Sequence, residues 1–209
     1  MHITCHIIFF MSYRDTTCKI VIISLFLNQS YCDFVFLINQ MNYRMNKLII
    51  GIIGPGETAL DINTDDAFQI GQAVGKFQLT LLTGGRNIGV MHAASKGAKK
   101  AGGITVGILP EENKKNMSSY VDIPVITGQG SGRNNINILT SDLIIAVGNG
   151  PGTLSEIALA MKANKTLIIY KPDEVAVEFF KRFSYNRIYF YNTIMEIEKH
   201  LEKLISLVQ

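Results

Sequence analysis

Two glycine-rich segments of this sequence have the residue types that hold phosphate groups. They are residues 83–89 (TGGRNIG) and 148–156 (GNGPGTLSE), and each stands between a short apolar run and a helical pattern. Glycine lets the backbone approach a ligand closely, and the start of the following helix presents unpaired N–H groups and a partial positive charge. We therefore predict two phosphate-binding loops. Their predicted ligand contacts are Thr83, Gly84, Gly85, Arg86, Gly148, Gly150, Gly152 and Thr153.

Two further glycine-rich turns follow apolar runs, at residues 54–58 (GPGET) and 128–135 (GQGSGRNN). The first is either a close backbone approach to a ligand or an ordinary loop between a strand and a helix, since Pro55 removes one N–H donor. The guanidinium groups of Arg86 and Arg133 can meet phosphate oxygens in pairs, although an exposed arginine is the alternative for each. The predicted contacts in these turns are Gly54, Gly56, Gly130, Ser131, Arg133 and Asn134.

The carboxylate most suited to chemistry is Glu156. The spacing Thr153-Leu154-Ser155-Glu156 favours a capping box, in which the Thr153 and Glu156 side chains each bond to the other residue's backbone N–H. A carboxylate at this place can also serve as a general acid or base, or bind a ribose hydroxyl. Arg133 opposite Glu156 would give a charged pair beside the phosphate site.

The elements that position these residues alternate between strand and helix. This alternation predicts one Rossmann-like, doubly wound α/β domain with a mostly parallel sheet and helices on both faces. Loops after neighbouring parallel strands then meet in one crevice. The predicted strands are 48–53, 79–82, 104–109, 123–126, 143–147 and 166–170. The predicted helices are 64–77, 89–101, 132–140, 153–164, 173–183 and 193–208, the first of them starting at Thr64 and the second stopped by Gly102-Gly103.

Composition excludes several classes of protein. The 209 residues suit one α/β domain, and the net charge of +3 is too small for a protein that binds long nucleic acids. The three cysteines all precede residue 45, and His92 and His200 are far apart in sequence, so we predict neither a disulfide framework nor a metal site.

Residues 1–44 differ in character from the rest. They contain no glycine or proline, and their apolar patches are shorter than the roughly 18 to 20 residues of a membrane helix. We interpret 1–44 as an extension, or as upstream sequence included by a wrong start, and 45–209 as the binding domain, with Met45 as its natural beginning. The alternatives are an additional element packed on the sheet and membrane association. We predict a cytoplasmic protein without a membrane partner.

The order of the motifs resembles a known superfamily. Thr83-Gly84-Gly85, then Gly89-Val90-Met91, Arg133 and the segment 150–156 occur as in the lonely-guy cytokinin-activating phosphoribohydrolases, which are often labelled lysine decarboxylases. The same superfamily holds the molybdenum cofactor carrier proteins and, more distantly, the DNA-processing protein A domains. The resemblance covers about residues 47–170. It implies a Rossmann-like fold, a homodimer or tetramer, and a phosphorylated, nucleotide-like ligand.

Within that superfamily the hydrolases have a Pro-Gly-Gly-x-Gly-Thr-x-x-Glu loop and an Arg-Lys pair, whose arginine is catalytic together with the glutamate. This sequence keeps Arg133 and Glu156 but has Gly148, Asn149 and Asn134 where the hydrolases have proline, glycine and lysine. These departures are similar to the cofactor carriers, whose loop is of the type Gly-x-Gly-x-Gly-Thr-Leu-Ser-Glu, with an Arg-Asn pair.

The resemblance therefore implies a binding protein for the molybdenum cofactor or a related nucleotide. The alternative is an enzyme that cleaves the N-glycosidic bond of nucleoside 5′-monophosphates through Arg133 and Glu156, with no cofactor required for catalysis. A single-strand nucleic-acid binder is a third interpretation, which the small net charge disfavours.

Overall fold

The computed structural model describes residues 48–183 and 186–207, together with the backbone of 11–12 and 19–20. The chain divides into two units, Met1–Met45 and Asn46–Gln209. In the first unit β1 (Met11–Ser12) and β2 (Lys19–Ile20) pair antiparallel. The interpretation of 1–44 as an extension falls almost wholly on residues outside those described, and it stays a prediction.

The second unit is built on a sheet of seven parallel strands in the order β6-β5-β4-β3-β7-β8-β9. The strands are β3 (Ile49–Ile53), β4 (Thr80–Thr83), β5 (Ile104–Leu109), β6 (Ile123–Ile126), β7 (Leu143–Val147), β8 (Thr166–Tyr170) and β9 (Ile188–Tyr191). The six α-helices of the described residues are α1 (Asp61–Lys76), α2 (Gly89–Lys100), α3 (Asn134–Thr140), α4 (Pro151–Lys162), α5 (Glu174–Lys181) and α6 (Ile194–Ser206), and a short 3-10 helix (Gly130–Arg133) directly precedes α3.

Helices cover both faces of this sheet. Successive strand side chains point to opposite faces, and Ile52 accordingly joins a core with α1, α2 and α6, whereas Ile53 joins a second core with α3, α4 and α5. Because both faces are buried, the central strands are apolar throughout, as expected for a parallel sheet. The predicted α/β Rossmann-like fold is confirmed.

The strand order reverses beside β3. From β3 the chain proceeds to β4, β5 and β6 on one side and then crosses back to β7 on the other. Ile50 thus pairs with Leu81 in β4 and with Leu143 in β7. Open α/β sheets bind ligands outside the carboxyl ends of the two strands at such a reversal. A ligand site is therefore expected between the loops after β3 and β7.

Two details differ from the sequence prediction. The predicted helix start at Thr64 is wrong, because α1 begins one turn earlier at Asp61, where the Leu60 N–H donates to the Asn63 side-chain oxygen over 3.1 Å. The edge strand β9 was not predicted, since its sequence IYFY is short and aromatic and lacks a glycine-rich turn behind it. The predicted helix stop is confirmed, with Gly102 in a left-handed conformation (φ 82°) after α2.

Candidate functional site

A cavity of about 250 Å³ opens at the carboxyl ends of β3 and β7, at the point where the strand order reverses. We call it the β3–β7 cavity. Residues 54–58 after β3 form one side, and residues 150–153, which include the first turn of α4, form the other. Further side chains around it are Met91 of α2, Glu156 of α4, and Arg133 and Asn134 at the start of α3.

The structure brings together nine of the residues that the sequence proposed for the site. Those that line the β3–β7 cavity are Gly54, Gly56, Gly84, Arg133, Asn134, Gly150, Gly152, Thr153 and Glu156. The other proposed contacts lie outside its lining: Thr83, Gly85, Arg86, Gly130, Ser131 and Gly148. Among residues that sequence reasoning did not propose, Thr58 and Met91 also line it.

Arg133 and Glu156 form a buried pair at the cavity. Their exposed fractions are 8% and 6%, and Nη1 of the arginine lies 3.9 Å from Oε1 of the glutamate. The guanidinium rests against the backbone at Gly84, where a Cβ atom would lie within 2.6 Å of three guanidinium atoms. Burial lowers the pKa of Arg133, and the Glu156 charge acts in the opposite direction. A glycine in the loop after β4 thus makes room for the arginine at the start of α3.

Glu156 has a second partner that sequence reasoning missed. The Asn137 side-chain amide, itself 2% exposed, donates to Oε1 of Glu156 over 3.0 Å. Burial raises the pKa of Glu156, while the Asn137 hydrogen bond and the Arg133 charge work to lower it. Asn137 lies in α3 four residues after Arg133, which directly precedes that helix in an αR conformation, so the two side chains are close together on one side. That four-residue spacing is the sequence signal from which Asn137 could have been predicted as a site residue.

The predicted capping box is wrong. Helix α4 begins at Pro151, two residues before Thr153, because proline has a fixed φ suited to the first helical position and needs no hydrogen-bond partner for its nitrogen. Thr153 is therefore the third residue of the helix, and Glu156 bonds to Asn137 instead of the cap. The Thr153 hydroxyl is buried and has no hydrogen-bond partner in the part of the chain that the structure describes.

Two residues that line the cavity thus carry buried polar atoms that lack a partner. Among the described residues, Oγ1 of Thr153 and Nε of Arg133 are buried side-chain atoms without a hydrogen bond. A hydroxyl can donate and a guanidinium N–H must donate, and burying either unpaired is unfavourable. The first turn of α4 adds backbone N–H groups and a partial positive charge at the same place. The site can therefore accept an anion that supplies oxygen acceptors.

Arg86 lies outside the lining of the β3–β7 cavity, and its guanidinium group pairs with two carboxylates. Its Nη1 is 2.8 Å from Oε1 of Glu57 and its Nε is 3.3 Å from Oε1 of Glu111. Contact between Arg86 and a phosphate stays a prediction, and it would require the side chain to leave these partners. Gly148, also outside the lining, has φ 73°, and a Cβ there would lie 2.8 Å from the Asn63 side-chain amide.

No cluster of three or more potential metal ligands occurs among the residues that the structure describes. In the same part of the chain, none of the helices combines the length and apolar character required to cross a membrane.

The buried carboxyl group leads to a prediction about pH. Since the pKa of Glu156 is raised above its ordinary value of 4.5, the folded protein keeps a proton that the unfolded chain has already released. The stability from this group is fully present below the ordinary pKa and is lost as the pH rises to the raised pKa. Urea unfolding of the wild type and of Glu156→Gln from about pH 4 to about pH 8 measures this. We expect the unfolding free energy of the wild type to fall relative to that of Glu156→Gln as the pH rises.

A matched control is Glu57→Gln at the rim. A backbone hydrogen bond and then Arg86 lower the pKa of Glu57, so its contribution to stability is present above the ordinary carboxyl pKa and is lost as the pH falls. The two difference curves should have opposite slopes. A flat difference curve for Glu156→Gln would contradict a raised pKa at this residue.

Comparison with known proteins adds a family and several relatives. Residues 47–198 match the sequence profile of the SLOG cluster4 family. An uncharacterized protein of Archaeoglobus fulgidus is 40% identical over 131 residues, which are 63% of this chain and 85% of that protein.

Two solved structures combine this fold with substantial identity. The molybdenum cofactor binding protein of Rippkaea orientalis is 46% identical with a TM-score of 0.74, and the match covers 77% of this chain and 99% of that one. The molybdenum cofactor carrier protein of Chlamydomonas reinhardtii is 39% identical with a TM-score of 0.72 and the same coverage of both chains, 77% and 99%.

Proposed function

We infer that this chain, which belongs to the SLOG cluster4 family, is a carrier that binds the molybdenum cofactor, a phosphorylated pterin, at the β3–β7 cavity without transforming it. Two proteins to which it is 46% and 39% identical are described as binding or carrying that cofactor, and each is covered almost end to end. The sequence departs from the hydrolase loop at Gly148 and Asn149, and these departures support the cofactor-carrier branch of the superfamily.

The observation that carries this proposal is the pair of unpartnered groups, Oγ1 of Thr153 and Nε of Arg133, at a cavity closed by a helix N-terminus. A phosphate monoester supplies the oxygen acceptors that both groups lack. Arg133 is the only cationic side chain in the cavity lining that the structure describes, and Glu156 is its carboxylate partner. A bound phosphate would share Arg133 with Glu156 and add negative charge beside it, so we expect binding to favour the protonated carboxyl.

The test is to identify what the protein carries. The full chain would be expressed in cells that make the cofactor and purified without acid, and the bound material would be analysed by mass spectrometry. We expect a phosphorylated pterin in an amount that approaches one per chain. Ligand-free protein that also fails to bind cofactor released from a molybdenum enzyme would overturn the proposal.

A second candidate is hydrolysis of nucleoside 5′-monophosphates. It is favoured by one observation, the buried Arg133–Glu156 pair, because a carboxyl group with a raised pKa beside a phosphate site suits general acid or base catalysis. Incubation with AMP separates the two functions. Release of adenine and ribose 5-phosphate by the wild type, with a loss of about a hundredfold or more in Glu156→Gln, would establish the hydrolase. The carrier leaves AMP intact.

Self-association and a cytoplasmic location belong to the same proposal. The edge strand β6 exposes the apolar side chains of Ile123, Val125 and Ile126, and exposed apolar surface at a sheet edge is a common site of contact with another chain. This supports the homodimer or tetramer that the resemblance implies. Sedimentation velocity on the wild type and on Val125→Lys would test it.

A further inference from the structure

A second cavity lies on the other side of the loop that borders the β3–β7 cavity. It measures about 480 Å³ and opens between α4 and α5, so we call it the α4–α5 cavity. Its side chains are mostly apolar, with Leu154 and Ile157 from α4 and Phe179 and Phe180 from α5. Asp173 is the only charged residue of the described lining. This cavity suits an apolar or aromatic group and offers a phosphate no cation.

The two cavities share residues. Gly150, Pro151 and Thr153 line both of them. Gly150 has no side chain, and a Cβ atom there would meet no heavy atom closer than 3.7 Å. Thr153, which is only 3% exposed and has an unpartnered hydroxyl, belongs to the lining of both. A ligand bound to this hydroxyl is therefore next to both cavities.

The volume of the β3–β7 cavity gives an independent reason for a second compartment. At about 250 Å³ it is smaller than the roughly 300 to 1,000 Å³ of pockets that enclose a small ligand. The α4–α5 cavity, at about 480 Å³, lies within that range. The smaller cavity can hold the phosphate end of a cofactor-sized molecule, and the rest of that molecule needs space elsewhere.

The chemistry of the α4–α5 cavity indicates which part of the ligand it binds. The ring of Phe179 meets that of Phe180 edge to face, with centroids 5.2 Å apart, and its side chain is 46% exposed, so one part of the ring is available for stacking. At the rim, Oδ1 of Asp173 accepts the Ala176 backbone N–H over 2.7 Å. The other carboxylate oxygen accepts no hydrogen bond from the described residues, so it can accept an N–H from a ligand.

We propose that the α4–α5 cavity binds the planar nitrogen heterocycle of the ligand, with Phe179 stacking on its face and Asp173 accepting from its N–H groups. This rests on the proposed function, in which the phosphate of the same ligand lies in the β3–β7 cavity. The Gly150–Thr153 segment would then lie between the two ends of one molecule, with the Thr153 hydroxyl bonded to the phosphate end.

The experiment compares Phe179→Ala with Phe183→Ala. Both residues are exposed phenylalanines with ring centroids 5.2 Å apart, but Phe183 lies two residues beyond α5 and does not line the cavity. Two probes are used: the molybdenum cofactor released from a molybdenum enzyme, measured by equilibrium binding, and inorganic phosphate, measured as a rise in melting temperature. Since stacking on an aromatic side chain is worth about tenfold or more in affinity, Phe179→Ala should weaken cofactor binding by that factor. Its response to phosphate should equal that of the wild type, and Phe183→Ala should change neither.

A filling variant, Ala176→Trp, gives a second measurement at the same cavity. It should also weaken cofactor binding and leave the phosphate response intact. Wild-type affinity for the cofactor in both Phe179→Ala and Ala176→Trp would overturn this inference and leave the proposed function standing. If these variants instead lose self-association while cofactor binding persists, the cavity holds a second copy of the chain, and the inference is wrong. A wild type that binds neither probe would overturn the proposed function and this inference with it.

Discussion

Gly150→Val is expected to fold normally and to lose cofactor binding by a factor of a hundred or more. The backbone at Gly150 is extended, with φ 175° and ψ 160°, a conformation that a β-branched residue adopts without strain. The nearest heavy atoms to an added Cβ would be Cβ of Pro55 at 3.7 Å and Oγ1 of Thr153 at 3.8 Å. The new side chain therefore enters the space between the two loops that a ligand would need.

Thermal unfolding with and without cofactor measures both halves of this prediction. We expect the unfolding free energy of Gly150→Val to lie within about 1 kcal/mol of the wild type, since the added Cβ is at ordinary van der Waals distance from its neighbours. The matched control is Gly132→Val in the exposed turn before α3, where a Cβ has no neighbour closer than 3.8 Å and which does not line the β3–β7 cavity. Cofactor protection that survives in a folded Gly150→Val protein would show that the loop does not bind the ligand.

The second large effect is expected from Arg133→Met. Removing the guanidinium leaves Glu156 buried with Asn137 as its remaining hydrogen-bond donor. Breaking one half of a buried ion pair typically costs about 3 to 5 kcal/mol, because the remaining charge is left without compensation. We expect a loss of this size near neutral pH, and a smaller one in acid, where Glu156 is protonated.

A double-mutant cycle separates the interaction energy of the Arg133–Glu156 pair from the packing contributions of the two side chains. Arg133→Met combined with Glu156→Gln removes both charges, so this double variant should be more stable than Arg133→Met alone near neutral pH. Urea unfolding of the four proteins provides the coupling energy. If Arg133→Met costs less than about 1 kcal/mol and the two changes are additive, the pair at 3.9 Å contributes no significant interaction.

The sequence was a good guide to the sheet because of how parallel strands are buried. Strands such as β7, Leu143–Val147, are covered on both faces, and they therefore appear as unbroken apolar runs that any reader can find. The strand β9 has one neighbour and partly exposed aromatic side chains. Such a segment has neither the alternation nor the continuous burial from which a strand is predicted.

The site was predictable only as far as its loops. Glycine-rich turns after strands located Gly54, Gly84 and Gly150, because the fold class alone brings those turns to one edge of the sheet. Side-chain partners depend on contacts distant in sequence: Arg86 meets Glu57 across 29 residues, and that pairing has no local signal. The mistaken capping box shows a local rule overridden by a neighbouring residue, Pro151.

The reversal of strand order beside β3 also constrains how the protein folds. Ile50 of β3 pairs with Leu143 of β7, and the Ile49 backbone N–H donates to Asp142 across 93 residues of chain. The two loops that face each other at the β3–β7 cavity are thus joined by the slowest kind of contact to form, a parallel pairing of high contact order. We therefore expect the site to form late in folding, together with the sheet. A molecule bound there opposes separation of the central strands, so the bound cofactor would stabilise the entire domain against unfolding. The cofactor would then be both the cargo of the protein and a ligand that keeps it folded.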